Sequence, residues 1–368
     1  MKPIYIAATE QHAGKTTVSL GLFRAAQRRG FRTCFIKPVG QRYLMEEGRQ
    51  IDEDAVLFRR SLSADGPIKS LSPVTIPRGF TREYINEPNP EAIYGPIDEA
   101  IAELADEHDV AIVEGTGHAG VGAVIDASNA QVAAHLGAKC IIVAGGGIGR
   151  CIDAIRLNEA LFEQCDVPVI GAVINKVYEE KYDKVSQAVC KGLDRLGIKC
   201  LGAIPYRREL TFPTMRHFKE EFGLETLCGE AHMDNHIHDS IVAAMEPQNM
   251  VDYLSDDCLV VVPGDRVDNI LASINAHLMK GRGEASAIGG MLLTGGFVPH
   301  RSIVKMLCAV EVPVLLTGDD TATAAFRVRG FVPKITPRDA DKIGLAEELI
   351  QSHVQTEHIF RVMGLLDS

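Results

Sequence analysis

The run Ala8-Thr9-Glu10-Gln11-His12-Ala13-Gly14-Lys15-Thr16-Thr17 constrains the chain more than any other. It follows an apolar segment, Ile4 to Ala8, and precedes an amphipathic one, Lys15 to Arg29. A Gly-Lys-Thr turn between a strand and a helix is the setting that a phosphate-binding loop requires. Loop amides and the positive end of the helix dipole face the phosphates there. Lys15 is placed to reach the β- and γ-phosphates and the Thr16 hydroxyl to meet Mg²⁺. One position departs from the common GxxxxGK[ST] pattern: Thr9 stands where the first glycine is usual, so the loop must turn by another backbone path.

The segments after this loop alternate. Thr33 to Val39 reads as a strand, Asp52 to Arg60 and Pro96 to Glu107 as helices, and Val110 to Glu114 as a buried strand. Lys139 to Ala144, Val167 to Asn175 and Lys199 to Ile204 continue the strands, with helices near 150–164 and 181–196 between them. Such alternation predicts an α/β fold: a three-layer P-loop domain whose mostly parallel sheet is covered on both faces. Ligands of these sheets lie at the carboxyl ends of the strands. Lys37 ends the second strand and would stabilise charge on a transferring phosphoryl group, unless it is simply a solvated strand-end lysine. Glu114 ends a buried strand and is followed by Gly115-Thr116-Gly117, a natural place for a carboxylate that meets Mg²⁺. Asp52 or Asp54 would serve the same metal or act as helix-start acids. Ser128 and Asn129 would face the pocket or merely cap a helix. Gly145 to Gly149 is a close-approach loop or a plain tight turn.

The pattern weakens over the polar stretch Cys228 to Asp239, and a second βα series follows. This places a domain boundary near residue 235, giving domains over 1–235 and 236–368, with a last helix near Arg338 to His353. His232, His236 and His238 fall in that stretch without Cys or Glu at ligand spacing and read as a solvated linker. The nine cysteines are odd in number and scattered, with no CxxC pair, which predicts reduced, mostly buried thiols rather than a disulfide framework. A net charge of −11 and the lack of a basic run argue against nucleic acid as a partner. No run approaches the roughly 20 apolar residues of a membrane span, and no signal-peptide pattern opens the chain. A cytoplasmic protein is expected.

The first 225 residues or so resemble the dethiobiotin synthetase family, which includes the synthetase-like part of cobyrinic acid a,c-diamide synthases. The resemblance rests on Ala8 to Thr16, Lys37-Pro38-Val39, Asp54-Ala55, Val113-Glu114-Gly115-Thr116-Gly117, Asn175 and Ile204-Pro205. It implies that Lys15 and Lys37 are the catalytic pair holding phosphate oxygens. It implies Thr16, Asp54 and Glu114 as Mg²⁺ ligands, and ATP bound by the loop Glu10 to Thr17 with Asn175 and Pro205. Asn175 would contact the adenine. It also implies a homodimer, because that family builds its substrate site across a dimer interface. The substrate side departs from the family: Gly40-Gln41-Arg42 replaces small residues, and His118 to Gly122 and Asp126 to Ala130 differ. Dethiobiotin formation itself is therefore not implied. No strand-turn-helix cysteine follows the first domain, which argues against amidation of the cobyrinate kind.

Residues from about 238 to 345 resemble the DRTGG domain, through Gly264-Asp265-Arg266, Thr294-Gly295-Gly296, Pro299 and Gly318-Asp319-Asp320-Thr321. A synthetase-like domain followed by DRTGG is similar to the N-terminal region of long bacterial phosphate acetyltransferases. The resemblance implies a smaller α/β domain of regulatory character. Here Asp265 and Asp319 would cap helices, or Arg266 would bind an anion. Together these readings predict an ATP-binding protein that hydrolyses Mg-ATP or transfers its phosphoryl group to a small carboxylate or carbamate, or else a catalytically weak nucleotide-sensing regulatory protein, with a small-molecule ligand or substrate as its partner. A scaffold with a purely structural loop is the third alternative.

Overall fold

The computed structural model describes residues 1–279 and 288–367. They form two compact units, Met1–Leu210 with Ile335–Ser368, and Thr211–Lys334.

The first unit holds a six-stranded, wholly parallel sheet. Its strands are β1 (Lys2–Ala8), β2 (Thr33–Ile36), β3 (Val110–Glu114), β4 (Lys139–Gly145), β5 (Val169–Val177) and β6 (Cys200–Pro205). Their order across the sheet is β6-β5-β4-β1-β3-β2. After β1 the chain moves to one side for β2 and β3, then to the other for β4. The carboxyl end of β1 is therefore the crevice where the winding reverses. Every residue of β3 is buried, as a sheet covered on both faces demands. The second strand is shorter than the sequence suggests. Pro38 has no N–H to continue the ladder, so β2 stops at Ile36, and Val39–Gly40 pairs separately with Val74–Thr75.

Helices α1 (Lys15–Arg28), α2 (Glu53–Leu62), α3 (Glu91–Ala105), α4 (Asn129–His135), α5 (Gly149–Gln164) and α6 (Tyr182–Asp194) complete the alternation. Helix α3 starts five residues before the expected Pro96 and carries that proline inside it. The thiols of Cys190 in α6 and Cys200 in β6 are bonded to each other, which corrects the expectation that all nine are reduced.

The second unit has its own five-stranded sheet of β7 (Glu225–Cys228), β8 (Asp239–Val242), β9 (Cys258–Pro263), β10 (Gly290–Thr294) and β11 (Val314–Leu316). The order is β7-β11-β10-β9-β8, parallel except for the edge strand β7. Helices α7 (Met215–Phe222), α8 (Val267–Met279), α9 (Arg301–Cys308) and α10 (Thr321–Gly330) belong to it. The boundary therefore lies near residue 211, not 235. Residues 211–235 supply α7 and β7, and Met215, Phe218 and Met233 sit in the second core. His236 is half-buried at the Thr214–His236 bridge, while His238 stays exposed, its ring 4.2 Å from that of Phe212.

The chain then returns to the first unit with α11 (Ala340–His353) and α12 (Thr356–Val362). This corrects the assignment of residues 335–368 to the second domain. The apolar face of α11, with Ile343, Ala346, Leu349 and Ile350, joins the first core. Gly21 in α1 makes room for it: a Cβ there would sit 2.3 Å from Ile350 Cβ. Glu347 adds ion pairs to Arg24 and Arg28 of α1 at 2.7 and 2.9 Å. No helix among the described residues is long and apolar enough to cross a membrane.

Candidate functional site

The run Ala8 to Thr17 forms the turn between β1 and α1, at the crevice described above. Ala8 is fully buried, and the Thr9 N–H donates to Val143 O at 3.0 Å, which keeps the chain in register with β4 beyond the strand end. Left-handed backbone occurs at His12 (φ 59°) and Gly14 (φ 101°), not at Thr9. Thr9 thus needs no left-handed backbone, and the turn is made at His12 and Gly14. Gly14 is required on two grounds. Its φ disfavours any side chain, and a Cβ would lie 1.9 Å from Asn175 Nδ2. Lys15 is nine-tenths buried at the first turn of α1, where the helix dipole reinforces its attraction for phosphate.

Behind the loop stands a buried charge constellation. Lys37 Nζ donates to Asp54 Oδ2 at 2.7 Å, to Glu114 Oε1 at 3.1 Å and to Gly115 O at 3.3 Å. Three elements place these groups: the end of β2, the first turn of α2 and the end of β3. Burial opposes the Lys37 charge, but Asp54, Glu114 and Asp52 outweigh it and hold the ammonium well above the ordinary lysine range. Asp52 has a structural task, accepting the Asp54 N–H at 2.9 Å as the cap of α2. The Thr16 hydroxyl donates to Glu114 Oε1 at 3.2 Å. Glu114 Oε2 is buried and has no hydrogen-bond partner among the described residues. Such an orphaned carboxylate oxygen, beside a hydroxyl and a second carboxylate, is an all-oxygen donor set that suits Mg²⁺. No group of three or more His, Cys, Asp and Glu is poised for a metal among the described residues. An ion held by Thr16, Asp54 and Glu114 would therefore complete its shell with phosphate oxygens and water.

On the other flank, Asn175 and Lys176 end β5 under the loop. Asn175 Nδ2 donates to Ala13 O at 2.9 Å, its Oδ1 accepts the Lys176 N–H at 2.9 Å, and Lys176 Nζ donates to His12 O at 2.6 Å. In this structure Asn175 therefore holds the loop. Lys176, at φ 61°, was not singled out in the sequence, since only its neighbours show that it ties down a loop carbonyl. Pro205 is buried at the end of β6, followed by Tyr206, whose ring meets that of Tyr178 edge-on at 5.4 Å. Glu10 and Gln11 lie at the exposed rim, where Arg150 meets Glu10 at 3.1 Å, and Thr17 is buried in α1.

The loop after Glu114 differs in character. Asn129 Oδ1 accepts the buried Tyr5 hydroxyl at 2.8 Å and the Thr116 N–H at 3.0 Å, while its Nδ2 donates to Thr116 O and His118 O. It fixes the loop after Glu114 and has little capacity left for a ligand. Ser128 forms a capping box with Gln131, so its role is structural. Beside this network opens a cavity of about 180 Å³, and no charged side chain lines it among the described residues.

In the second unit the signature residues lie at the carboxyl ends of β9, β10 and β11. Gly295 N–H donates to Asp319 O at 2.8 Å and Gly296 N–H to Thr317 O at 2.9 Å, so the two glycines cross-link neighbouring loops. Arg266 is held by both carboxylate oxygens of Asp268 at 2.9 Å. Asp319 pairs with Arg327, and Asp320, rather than Asp319, caps α10.

Residues 2–214 match the family described as AAA domain, and residues 219–331 match the DRTGG domain. The chain is 28% identical over 366 residues to a phosphate acetyltransferase of Nitratidesulfovibrio vulgaris, covering 97% of this chain and 51% of that protein. It is 25% identical over 382 residues to the phosphate acetyltransferase of Pseudomonas putida, covering 99% of this chain and 52% of that protein. The chain thus spans about half the length of the curated relatives it matches. Among solved structures, the CBS and DRTGG domains of the regulatory region of Clostridium perfringens pyrophosphatase align at 18% identity and a TM-score of 0.28, over 34% of this chain and 49% of that one. The layout expected from the sequence, a P-loop domain followed by a DRTGG domain as in long phosphate acetyltransferases, agrees with these matches. With more than half of its length in the match, the chain belongs to the AAA domain family, as a P-loop protein that also carries a DRTGG domain.

Proposed function

We propose that the first unit binds ATP with Mg²⁺ and hydrolyses it, and that the DRTGG unit regulates or reports that event. The observation that carries this reading is the buried constellation behind the loop, with Lys37 between Asp54 and Glu114 and the Thr16 hydroxyl against Glu114. Burying three charged side chains is unfavourable without a task or a compensating structure. These three come from the end of β2, the first turn of α2 and the end of β3, at the crevice where ligands of this fold bind. Loop amides and Lys15 would hold the phosphates, while Thr16, Asp54 and Glu114 would hold Mg²⁺. The ion would supply charge neutralisation on the phosphate oxygens. Lys37 would steady the two carboxylates and lend its positive charge to a transferring phosphoryl group. The carboxylate or carbamate acceptor implied by resemblance finds no counter-charge in the neighbouring cavity.

The test is calorimetric binding of ATP and ADP to the full chain with and without Mg²⁺, alongside phosphate release, for wild type and Lys15→Ala. Wild type is expected to bind nucleotide more tightly with Mg²⁺, and Lys15→Ala to lose binding. Absence of binding in wild type would defeat the proposal. A second reading, a nucleotide sensor with little turnover, is favoured by one observation: two carboxylates within 3.1 Å already match the Lys37 charge. Tight binding with no phosphate release in a single-turnover experiment would select it.

A further inference from the structure

The cavity beside the Lys37 constellation shares a wall with it. Gly115, whose carbonyl accepts the Lys37 ammonium at 3.3 Å, lines the cavity, and so does Val39, two residues beyond Lys37. Its body is aliphatic, built from Val39, Ile76, Val121, Ile125 and Val132. Most polar groups in the wall are engaged within the chain. Tyr5 and Asn129 bond to each other at 2.8 Å, and the Thr116 hydroxyl donates to Val39 O at 2.9 Å. Gln41 and Thr81 are different: both are exposed at the rim, and neither makes a side-chain hydrogen bond among the described residues; of the two, only Gln41 offers an amide.

Two consequences follow from this chemistry. An ionised carboxylate or ammonium entering an uncharged wall loses hydration without a compensating partner. A neutral amide or alcohol loses far less and finds a donor and an acceptor in the Gln41 amide. The size of the space sets the size of the occupant. An apolar cavity of about 150 Å³ takes benzene, so one of this volume takes roughly six to eight non-hydrogen atoms. We infer that this cavity binds a small neutral molecule with a branched aliphatic body and one amide or hydroxyl head, which Gln41 holds. Occupancy stands on the cavity itself. That the occupant acts as acceptor or effector beside the phosphate site rests on the nucleotide reading.

The experiment is ligand-observed NMR titration of the full chain with isovaleramide and isoamyl alcohol, against isovalerate and isoamylamine as charged isosteres, each with and without Mg-ADP. The neutral pair is expected to bind at least roughly tenfold more tightly than the charged pair. Val121→Phe fills the cavity from a half-buried loop position and is expected to remove binding of both neutral probes. Gln41→Leu, at an exposed position, is expected to weaken isovaleramide by roughly threefold to tenfold. Thermal melting checks that both variants fold. Charged isosteres that bind as well as the neutral pair, or neutral binding indifferent to Val121→Phe, would overturn the inference, as would no binding of either neutral probe. Lys15→Ala separates the two ideas. Loss of nucleotide with retained isovaleramide binding is the expected result. Wild type that binds nucleotide but neither neutral probe defeats this inference alone, and wild type that binds the probes but no nucleotide defeats the nucleotide reading alone.

Discussion

Lys37 and Asp54 form a buried ion pair at 2.7 Å, and the same ammonium reaches Glu114 at 3.1 Å. Each of the three side chains is at least nine-tenths buried. Removing the cation leaves two carboxylates without their shared partner. Lys37→Met is therefore expected to destabilise the protein by about 3–5 kcal/mol, the range for breaking a buried pair from one side. The same variant sharpens the metal assignment. With the ammonium gone, a divalent cation is the natural replacement, so added Mg²⁺ should raise the melting temperature of Lys37→Met more than that of wild type. Urea unfolding and thermal melts with and without Mg²⁺ measure both effects. Equal responses of the two proteins to Mg²⁺ would remove Asp54 and Glu114 from the candidate metal site.

Gly14 and Asn175 make a second close relationship. An alanine at Gly14 would adopt φ 101° and place its Cβ 1.9 Å from the Asn175 amide. The backbone term alone is of order 1–3 kcal/mol. Gly14→Ala should abolish nucleotide binding, because Asn175 cannot retreat without releasing Ala13 O. Adding Asn175→Ala relieves the clash but not the φ, so the double variant should recover stability only in part and should not recover wild-type affinity. Full recovery would show that the steric term is the whole effect.

The site was legible where chemistry sits at strand ends. Lys37 and Glu114 close short apolar runs, Lys15 and Thr16 open the helix after another, and the carboxyl end of a parallel strand is where such a fold exposes functional groups. Asp54 was legible only as one of two acids, because Asp52 and Asp54 differ in role through a single capping bond. The loop path was not legible. Nothing in the run Ala8 to Gly14 marks His12 as left-handed, and only the anchors from Asn175 and Lys176, some 160 residues away, show why it is tolerated. The domain boundary failed for a related reason. The periodicity of α11 shows an apolar face but not which core that face covers, and the complementary surface is the Gly21 notch on α1.

That notch carries its own expectation. In a helix interior Gly→Ala ordinarily gains up to about 1 kcal/mol from propensity. At Gly21 the new Cβ would meet Ile350 Cβ at 2.3 Å, next to the backbone rather than at a flexible side-chain end. Overpacking of that kind costs about 1–3 kcal/mol and should exceed the gain. Gly21→Ala is therefore expected to be less stable than wild type by up to about 2 kcal/mol, with protease sensitivity rising first at the C-terminal helices. A stabilised Gly21→Ala would mean that α11 does not pack on α1 as described.

His353 closes α11 and is expected to make the stability of this end of the helix depend on pH. Its Nδ1 lies 3.0 Å from the Tyr182 hydroxyl, which also donates to Ala203 O at 2.6 Å. Burial, helped by the positive charge of Arg207, lowers the imidazole pKa below its ordinary 6.5, with Glu348 opposing weakly. The folded state therefore binds this proton less readily than the unfolded chain does. Above pH 6.5 both states are neutral at His353 and its contribution is fully present. As pH falls below that value the unfolded chain takes up the proton first, and stability is lost until the folded imidazole also titrates. His353→Gln removes the titrating group and keeps a hydrogen-bonding side chain. Between about pH 7.5 and pH 5.5, wild type should lose more melting temperature than the variant. Because every other titrating group is shared, the difference between the two slopes isolates His353, and parallel slopes would show that its burial does not favour the neutral form.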